Sequence, residues 1–524
     1  MLNNLLIQRG FRRTLPQPRT RCGRAFPADR GFANRLTLFL GIGLSSLLWP
    51  GISLGQGADR TPLNLVRLEI SPAELPTPAL KYKLTRSFEE TVDGDAAPIY
   101  YRAFLRLGLL GYSREDWANL ARWNAITPEN IPADLLAGQL KQAKDVFREA
   151  DLASRQSDCH WPLERQTLDP AAFADAQLPE LELARRLAIL IALRSRLAIF
   201  DGRIDDCLDG LKTGFELATD VGQGQTLIHA IVGNSIAMQM YQVVLQLVGQ
   251  PNAPNMYWAV TQLPEPFIPL RPAIETEMHS LFGALPLLAN PESAVHTPAE
   301  WRALTIQTLS HARTLQGKDV FNESRAEQDV PARLEMSPEE EFERLVPLAR
   351  ERLIASGWSA PKVEQMSDGQ AVAVEMSRST KVLRDEFFKA AFLPYRKAWG
   401  EYQRFSEAFP FKDSDAQTVD SAELVPLGRK LIPSIPQVQL QLIASGRLRA
   451  SIQLVEALRL HLATDGLLPS GPVEIRNIPL PVDPWTEQPI PFLIDNGRAT
   501  FGLPAPAGAS REGNEINFDI SIRR

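Results

Sequence analysis

Few residues of this chain combine the types and spacing that chemistry requires. Glu275, Glu277 and His279 alternate along one stretch. On a helix, Glu275 and His279 are four apart and share a face, as two metal ligands do. The plainer reading is a solvated helix face with an intrahelical pair, and no metal is expected. Cys159 and His160 set a thiol beside a base. Neighbours in a loop point apart, so they do not predict a nucleophile. Asp205, Asp206 and Asp209 gather carboxylates without the spacing of a calcium loop. The HExxH zinc pair, paired Cys-x-x-Cys, the G-x-S-x-G elbow and the G-x-x-x-x-G-K-[ST] phosphate loop are all missing from the sequence. No cofactor is therefore expected. Trp117, Trp123, Tyr257, Trp258, Trp399 and Tyr402 are candidates to line a groove for peptide or sugar, against the ordinary role of such rings in a core. Arg384, Asp385, Glu386 and Lys389 read as a salt-bridged surface.

The elements that would position these residues are mostly helices. Residues 50–78 are proline-rich and loop-like, with a strand-like patch at Leu63–Ile70. A helix is predicted from Asp95, as N-cap, to about Leu109, with Pro98 in its first turn. Others follow at Arg114–Asn124 and Ala133–Ala150, and Ser154–Gln177 reads as an ordered loop. Leu183, Leu187, Leu190, Ile191 and Leu197 recur at helical spacing, and alanines make the other faces apolar. Such a helix belongs inside a bundle. Asp201-Gly202 ends it, and helices at Arg203–Ala218 and Gln225–Val248 follow. Prolines punctuate 251–272, and further helices are predicted at Ala273–Leu288, Pro298–Leu315, Pro338–Ser356 and Pro361–Ser406. The division expected is 56–94 extended, 95–321 helical, 322–343 charged linker, 344–445 helical, and 446–524 a helix plus a small sheet.

The first 55 residues hold eight arginines, one acid (Asp29) and the apolar run Leu36–Trp49. This is the layout of a secretory signal, with an uncleaved N-terminal anchor over 36–52 as the alternative. Arg12-Arg13 also permits twin-arginine export, though arginine pairs are common in so basic a leader. Without the leader the chain keeps 48 basic and 61 acidic residues, a net charge of −13. So acidic a body argues against a general nucleic-acid binder or an anionic-membrane binder. With 44% hydrophobic residues it can bury a large core. Export would leave Cys159 and Cys207 in an oxidising compartment. Paired, they would close a loop of about 50 residues and stabilise the fold by about 4 kcal/mol. The alternative is two unpaired thiols, because Cys207 falls on an apparent packing face.

In the C-terminal part, Leu448, Ile452, Val455, Leu458 and Leu462 form an apolar stripe, with Arg447, Arg449 and Arg459 off it. Asp465-Gly466 stops the helix. Ile490–Asp495 and Arg498–Leu503 flank Asn496-Gly497, a strong hairpin signal, and alternation at Ile516–Ile522 adds a third strand. With Leu468-Pro469, Pro481, Asp483-Pro484-Trp485 and Pro489, this stretch resembles the globular part of type II secretion pseudopilins. Glu487 stands where those proteins often have glycine, and the prepilin signature is missing. Ser195, Ala198, Gly202, Cys207, Leu211 and Gly214 resemble one tetratricopeptide hairpin, with cysteine for the usual alanine and no downstream proline. With the Pro251–Pro266 stretch PNAPNMYWAVTQLPEP and the run ALRLHLATDGLLP at Ala457–Pro469 ahead of Asp483-Pro484-Trp485, the whole chain resembles large exported helical proteins of planctomycete-type bacteria, a likeness that implies compartment and architecture and supplies no catalytic residues.

The expected fold is mainly α. It is an irregular helical bundle with a repeat-like hairpin and a C-terminal α+β module whose sheet has three antiparallel strands. The expected role is a non-catalytic exported scaffold that binds another envelope protein. An envelope hydrolase whose carboxylates meet only in the fold, or an accessory subunit of a pilus-like machine, are the alternatives.

Overall fold

In a computed structural model of the chain, the described residues are 65–126, 130–161, 178–283, 285–317, 337–408, 434–509 and 511–523. The leader, most of the 322–343 linker and the side chain of His279 lie outside them.

The described residues are mainly helical, with small sheets. Strand β1 (Leu65–Ile70) and the short β2 (Val92–Asp95) precede α1 (Ala97–Leu109). Ala96, not Asp95, holds the N-cap position. Asp95 still caps, since its Oδ1 accepts from the amides of Ala97 at 3.1 Å and His160 at 2.9 Å. Helix α2 (Arg114–Ala125) opens with a capping box between Ser113 and Asp116. The single helix expected over 133–150 is two, α3 (Ala133–Gln142) and α4 (Lys144–Ala153). The buried Ala143 between them, at ψ 7°, leaves helical geometry. A short β3 (Gln156–Asp158) pairs in parallel with β2.

The centre is built from α5 (Pro179–Phe200), α6 (Ile204–Gly222) and α7 (Leu227–Val248). Gly202, at φ +72°, makes the α5–α6 turn. These helices touch backbone to backbone. A Cβ on Gly233 of α7 would lie 2.5 Å from the Cα of Gly222 on α6. Helix α7 is long and apolar enough to cross a membrane by length and composition, but 67% of its most apolar window is buried inside the protein, as in a core helix.

The short α8 (Tyr257–Thr261), α9 (Arg271–Gly283), α10 (Pro298–Gly317) and α11 (Pro338–Ala355) follow. The long helix expected at 361–406 is three: α12 (Ala360–Glu364), α13 (Asp368–Ala391) and α14 (Tyr395–Ala408). Ser367 restarts the chain by capping the amide of Gln370, and Pro394 precedes α14. Their apolar faces form smaller clusters, one around Phe387, Phe388, Tyr402 and Phe405, another around Leu309, Phe342 and Leu345.

Helix α15 (Ser434–Asp465) spans 32 residues, so the boundary expected at 446 falls inside one continuous helix. Gly466, at φ +75°, ends it. After β4 (Val482–Asp483) and β5 (Gln488–Pro489) come β6 (Phe492–Asp495), β7 (Arg498–Leu503), the one-turn α16 (Arg511–Asn514) and β8 (Ile516–Ile522). The Asn496-Gly497 hairpin is present, with φ +49° and +75°. The sheet, however, is not three antiparallel strands. It is four-stranded and mixed, ordered β1-β8-β7-β6, because β1 pairs in parallel with β8 from Leu65↔Asn517 to Ile70↔Ile522. One hydrophobic cluster joins residues 70–263 to residues 448–520, so the C-terminal helix and sheet share their core with the N-terminal helices.

Candidate functional site

The structure draws Cys159 and His160 into a cluster of titratable groups that the sequence pattern does not reveal. Its centre is Asp220, half-buried near the C-terminal end of α6. Asp220 Oδ2 accepts the Tyr100 hydroxyl from α1 at 2.8 Å, and its carbonyl accepts the Trp161 indole N–H at 2.7 Å. Trp161 also stacks on Tyr100 and Phe104, at centroid distances of 5.8 and 6.3 Å, and meets Tyr101 edge-on at 6.0 Å. Aromatic contacts of this kind add about 0.5–1.5 kcal/mol each beyond area burial. Glu216 stands one turn before Asp220 and accepts the Arg86 amide at 2.8 Å. The Arg86 guanidinium continues to Asp151 at 2.6 Å and to Thr213 at 2.9 Å, which fastens the strand-poor 84–95 segment to α4 and α6.

Burial pushes Asp220 up to about 8. The nearby carboxylates of Glu216 and Asp95 add to this, and the bond from Tyr100 opposes it. Burial also raises Glu216, against the pull of Arg86. Burial, then Asp220 and Asp95, push the Cys159 thiol far up, so it is no thiolate nucleophile. His160 is exposed, its Nδ1 3.8 Å from Asp95. A carboxylic acid held protonated near neutrality is what a general acid needs. Here the Tyr100 hydroxyl is bonded to the Asp220 side chain and the Trp161 indole to its backbone carbonyl. A dent with room for about one water lies elsewhere, against Ile131, Ala133, Leu136, Arg196, Leu197 and Phe200, and carries no acid.

The other candidates disperse. Both thiols are free, so the disulfide is not formed: Cys207 is fully buried on α6, whereas Cys159 lies by Asp220. Glu275 pairs with Arg271 at 3.7 Å, and Glu277 accepts the Leu227 amide at 3.3 Å. Among the described residues no group of three His, Cys, Asp or Glu is arranged to hold a metal. The 205–209 acids face Arg203, which pairs with Asp206, and Lys212, 3.9 Å from Asp209. The six aromatics do not converge on one groove. Trp117 and Trp123 lie on α2, with the Arg186 guanidinium over the Trp117 ring at 5.1 Å. Tyr257 is buried on α8, its hydroxyl donating to the Pro479 carbonyl, and Trp258 meets it edge-on at 5.1 Å. Tyr402 is buried on α14 and donates to Gln439 at 2.8 Å, while Trp399 packs against Tyr395.

Three arginines on α15 are the groups most affected by the fold. They do not face water. Arg447 and Arg459 are fully buried, and Arg449 nearly so. Arg447 grips Asp483 through two bonds of 3.0 and 3.1 Å and donates to the carbonyls of Pro504 and Asn514. Asp483 in turn accepts the Trp485 amide at 2.9 Å, which explains the Asp-Pro-Trp run. Arg459 pairs with Glu456, also fully buried, and donates to the carbonyls of Ser71, Ala253 and Pro254. An arginine beside an apolar helix stripe, with an aspartate in a proline-rich loop beyond it, is the sequence signal that would have found the Arg447–Asp483 pair.

No protein-family model, characterised protein or solved structure matches this chain.

Proposed function

We propose that this chain is an exported scaffold of the cell envelope that acts by binding another envelope protein rather than by catalysis. The observation that carries this reading is on α1. Leu105 and Leu109, one turn apart, are 71% and 84% exposed on a helix whose opposite face is fully packed. Leu135 on α3 and Phe200 at the end of α5 also face outward. Large apolar side chains repeated on one exposed helix face mark interaction surfaces more often than isolated ones do. The acidic body supports the same reading.

The test is crosslinking in the native envelope, followed by purification of wild type and a Leu105→Glu/Leu109→Glu variant. A partner at near-equal amounts that is lost from a variant of unchanged melting temperature supports the proposal. A monomer without partner, or a partner that the variant retains, refutes this surface. The accessory-subunit reading has one supporting feature, Leu493, 74% exposed on the edge strand β6. Leu493→Glu would then abolish association. Deleting 446–524 is a poor test, because those residues share the main core.

A further inference from the structure

The exposed leucines of α1 sit in a basic setting. Arg102, Leu105, Arg106 and Leu109 fall on one face of the helix, since three- and four-residue steps bring side chains together. The arginines reach across to α4. Arg102 meets Glu149 at 3.1 Å, and Arg106 meets Glu149 at 3.3 Å and Asp145 at 3.8 Å. Arg148 joins Asp145 at 3.0 Å. Glu149 lies beneath this layer, its side chain 7% exposed, whereas Arg102 and Arg148 are 56% and 57% exposed. Of the two carboxylates, then, only Asp145 faces solvent, and Arg106 and Arg148 share it. Lys144 opens α4 and Lys141 stands in the last turn of α3, both exposed. The Tyr112 hydroxyl donates to the Gln139 carbonyl at 2.7 Å, which fastens the residues after Leu109 to α3 just before Lys141. Two other acids nearby are already used. Asp151 is held by Arg86 and Arg155, and Asp116 closes the capping box of α2. Five cations thus stand against two carboxylates around a pair of exposed leucines, on a body whose net charge is −13.

We propose that this face receives an acidic segment of a partner protein. The segment lays apolar side chains on Leu105 and Leu109 and sets carboxylates against Arg102, Arg148, Lys141 and Lys144. This partner chemistry rests on the same reading of α1 as the docking face of a scaffold. Charge complementarity selects the occupant, because opposite potentials speed encounter and like charges reject competitors. A second copy of this chain, docked through the same face about a two-fold axis, would set cations against cations. An anionic bilayer has the right sign, but it is a plane, and the acidic remainder of the body would meet it too. A protein segment covers the basic patch alone.

Gly108 lies between the two leucines on the exposed face, and a Cβ there would meet nothing within 4 Å. The photo-crosslinking residue p-benzoylphenylalanine, placed at position 108 of the full chain, reports the occupant in the native envelope, and mass spectrometry reads the peptide it joins. The expected adduct is a protein segment with more Asp and Glu than Lys and Arg. Lys141→Glu/Lys144→Glu, at unchanged melting temperature, should lower its yield about tenfold, because charges at the rim set the rate of encounter. If that variant fails to fold, raising the salt of isolated envelopes from about 0.1 M to about 0.5 M takes its place and should lower the yield by a similar factor. A yield that the charge change leaves unmoved overturns the proposal. So does an adduct on a neutral or basic segment, on a second copy of this chain, or on lipid alone. A neutral or basic protein segment would still leave α1 as a docking face, whereas no adduct at all refutes both readings.

Discussion

Replacing Asp483 with alanine tests whether buried arginines hold the C-terminal sheet to α15. Arg447 is fully buried and Asp483 nearly so, and two charge-assisted bonds of 3.0 and 3.1 Å join them. Asp483→Ala leaves the guanidinium with the carbonyls of Pro504 and Asn514 alone, and strips the Trp485 amide of its acceptor. Removing one partner of a buried pair costs about 3–5 kcal/mol, because the remaining charge is stranded. About 4 kcal/mol corresponds to roughly a thousandfold in an opening equilibrium. Hydrogen exchange read by mass spectrometry should therefore show the slow amides of β7 and β8 exchanging roughly a thousandfold faster. Amides of α11 and α13, in a separate apolar cluster, should be unchanged. The double variant Arg447→Met/Asp483→Leu should recover only part of the loss, since no buried charge remains but the carbonyls of Pro504 and Asn514 lose their donor. Acceleration of less than about fivefold in Asp483→Ala, or a double variant worse than the single, would refute the reasoning.

Two further outcomes are expected. Glu487 holds a left-handed conformation at φ +56° in the turn between β4 and β5, where a side chain costs about 1 kcal/mol. Glu487→Gly should raise the melting temperature by about 2 °C, and a lower value would show that Glu487 contributes more than it strains. Glu90 is pushed up by burial, but the Ser87 amide and Lys212, at 3.0 Å, pull it down to about 2. A lowered carboxylate stabilises the fold above its ordinary range, and that stability disappears as pH falls from about 4.5 through 2. The acid limb of a denaturation-midpoint series should be shallower in Glu90→Gln than in wild type.

Local signals were legible where local physics decides. The Asn496-Gly497 hairpin, the stop at Asp465-Gly466 and the apolar helices flanking Gly202 all follow from short-range turn chemistry and periodicity. What failed is long-range. The patch ending at Ile70 reads as strand, but nothing nearby says that its partner is Ile516–Ile522, more than 440 residues later. Adding that parallel strand turns a three-stranded meander into a mixed sheet. The 133–150 pattern keeps helical period through Ala143, whereas the breaks inside 361–406 carry local marks, the Ser367 cap and Pro394, that a reading by periodicity alone passes over. The Asp220 cluster draws one residue from each of three segments, and no spacing rule joins Tyr100, Trp161 and Asp220. The arginines of α15 lie off the apolar stripe, and a stripe read alone assigns them to solvent.

Their burial follows from the prolines. Segments such as Ala253–Pro254 and Pro264–Pro266 are poor in amide donors and stay out of regular structure, and their carbonyls take side-chain partners instead. A guanidinium offers five donors in a rigid fork, so one side chain can serve several carbonyls from different segments. Arg459 does so for Ser71, Ala253 and Pro254 while Glu456 balances its charge, and Arg449 does so for Thr261 and Pro264. Arg447 repeats the arrangement at Pro504 and Asn514 with Asp483. Lysine would keep the charge but reach fewer carbonyls, each orphaned group costing about 1–3 kcal/mol. The proline-rich loops and the helix with three arginines are thus two halves of one device: α15 supplies, along a single axis, the donors that the irregular segments on either side of it lack.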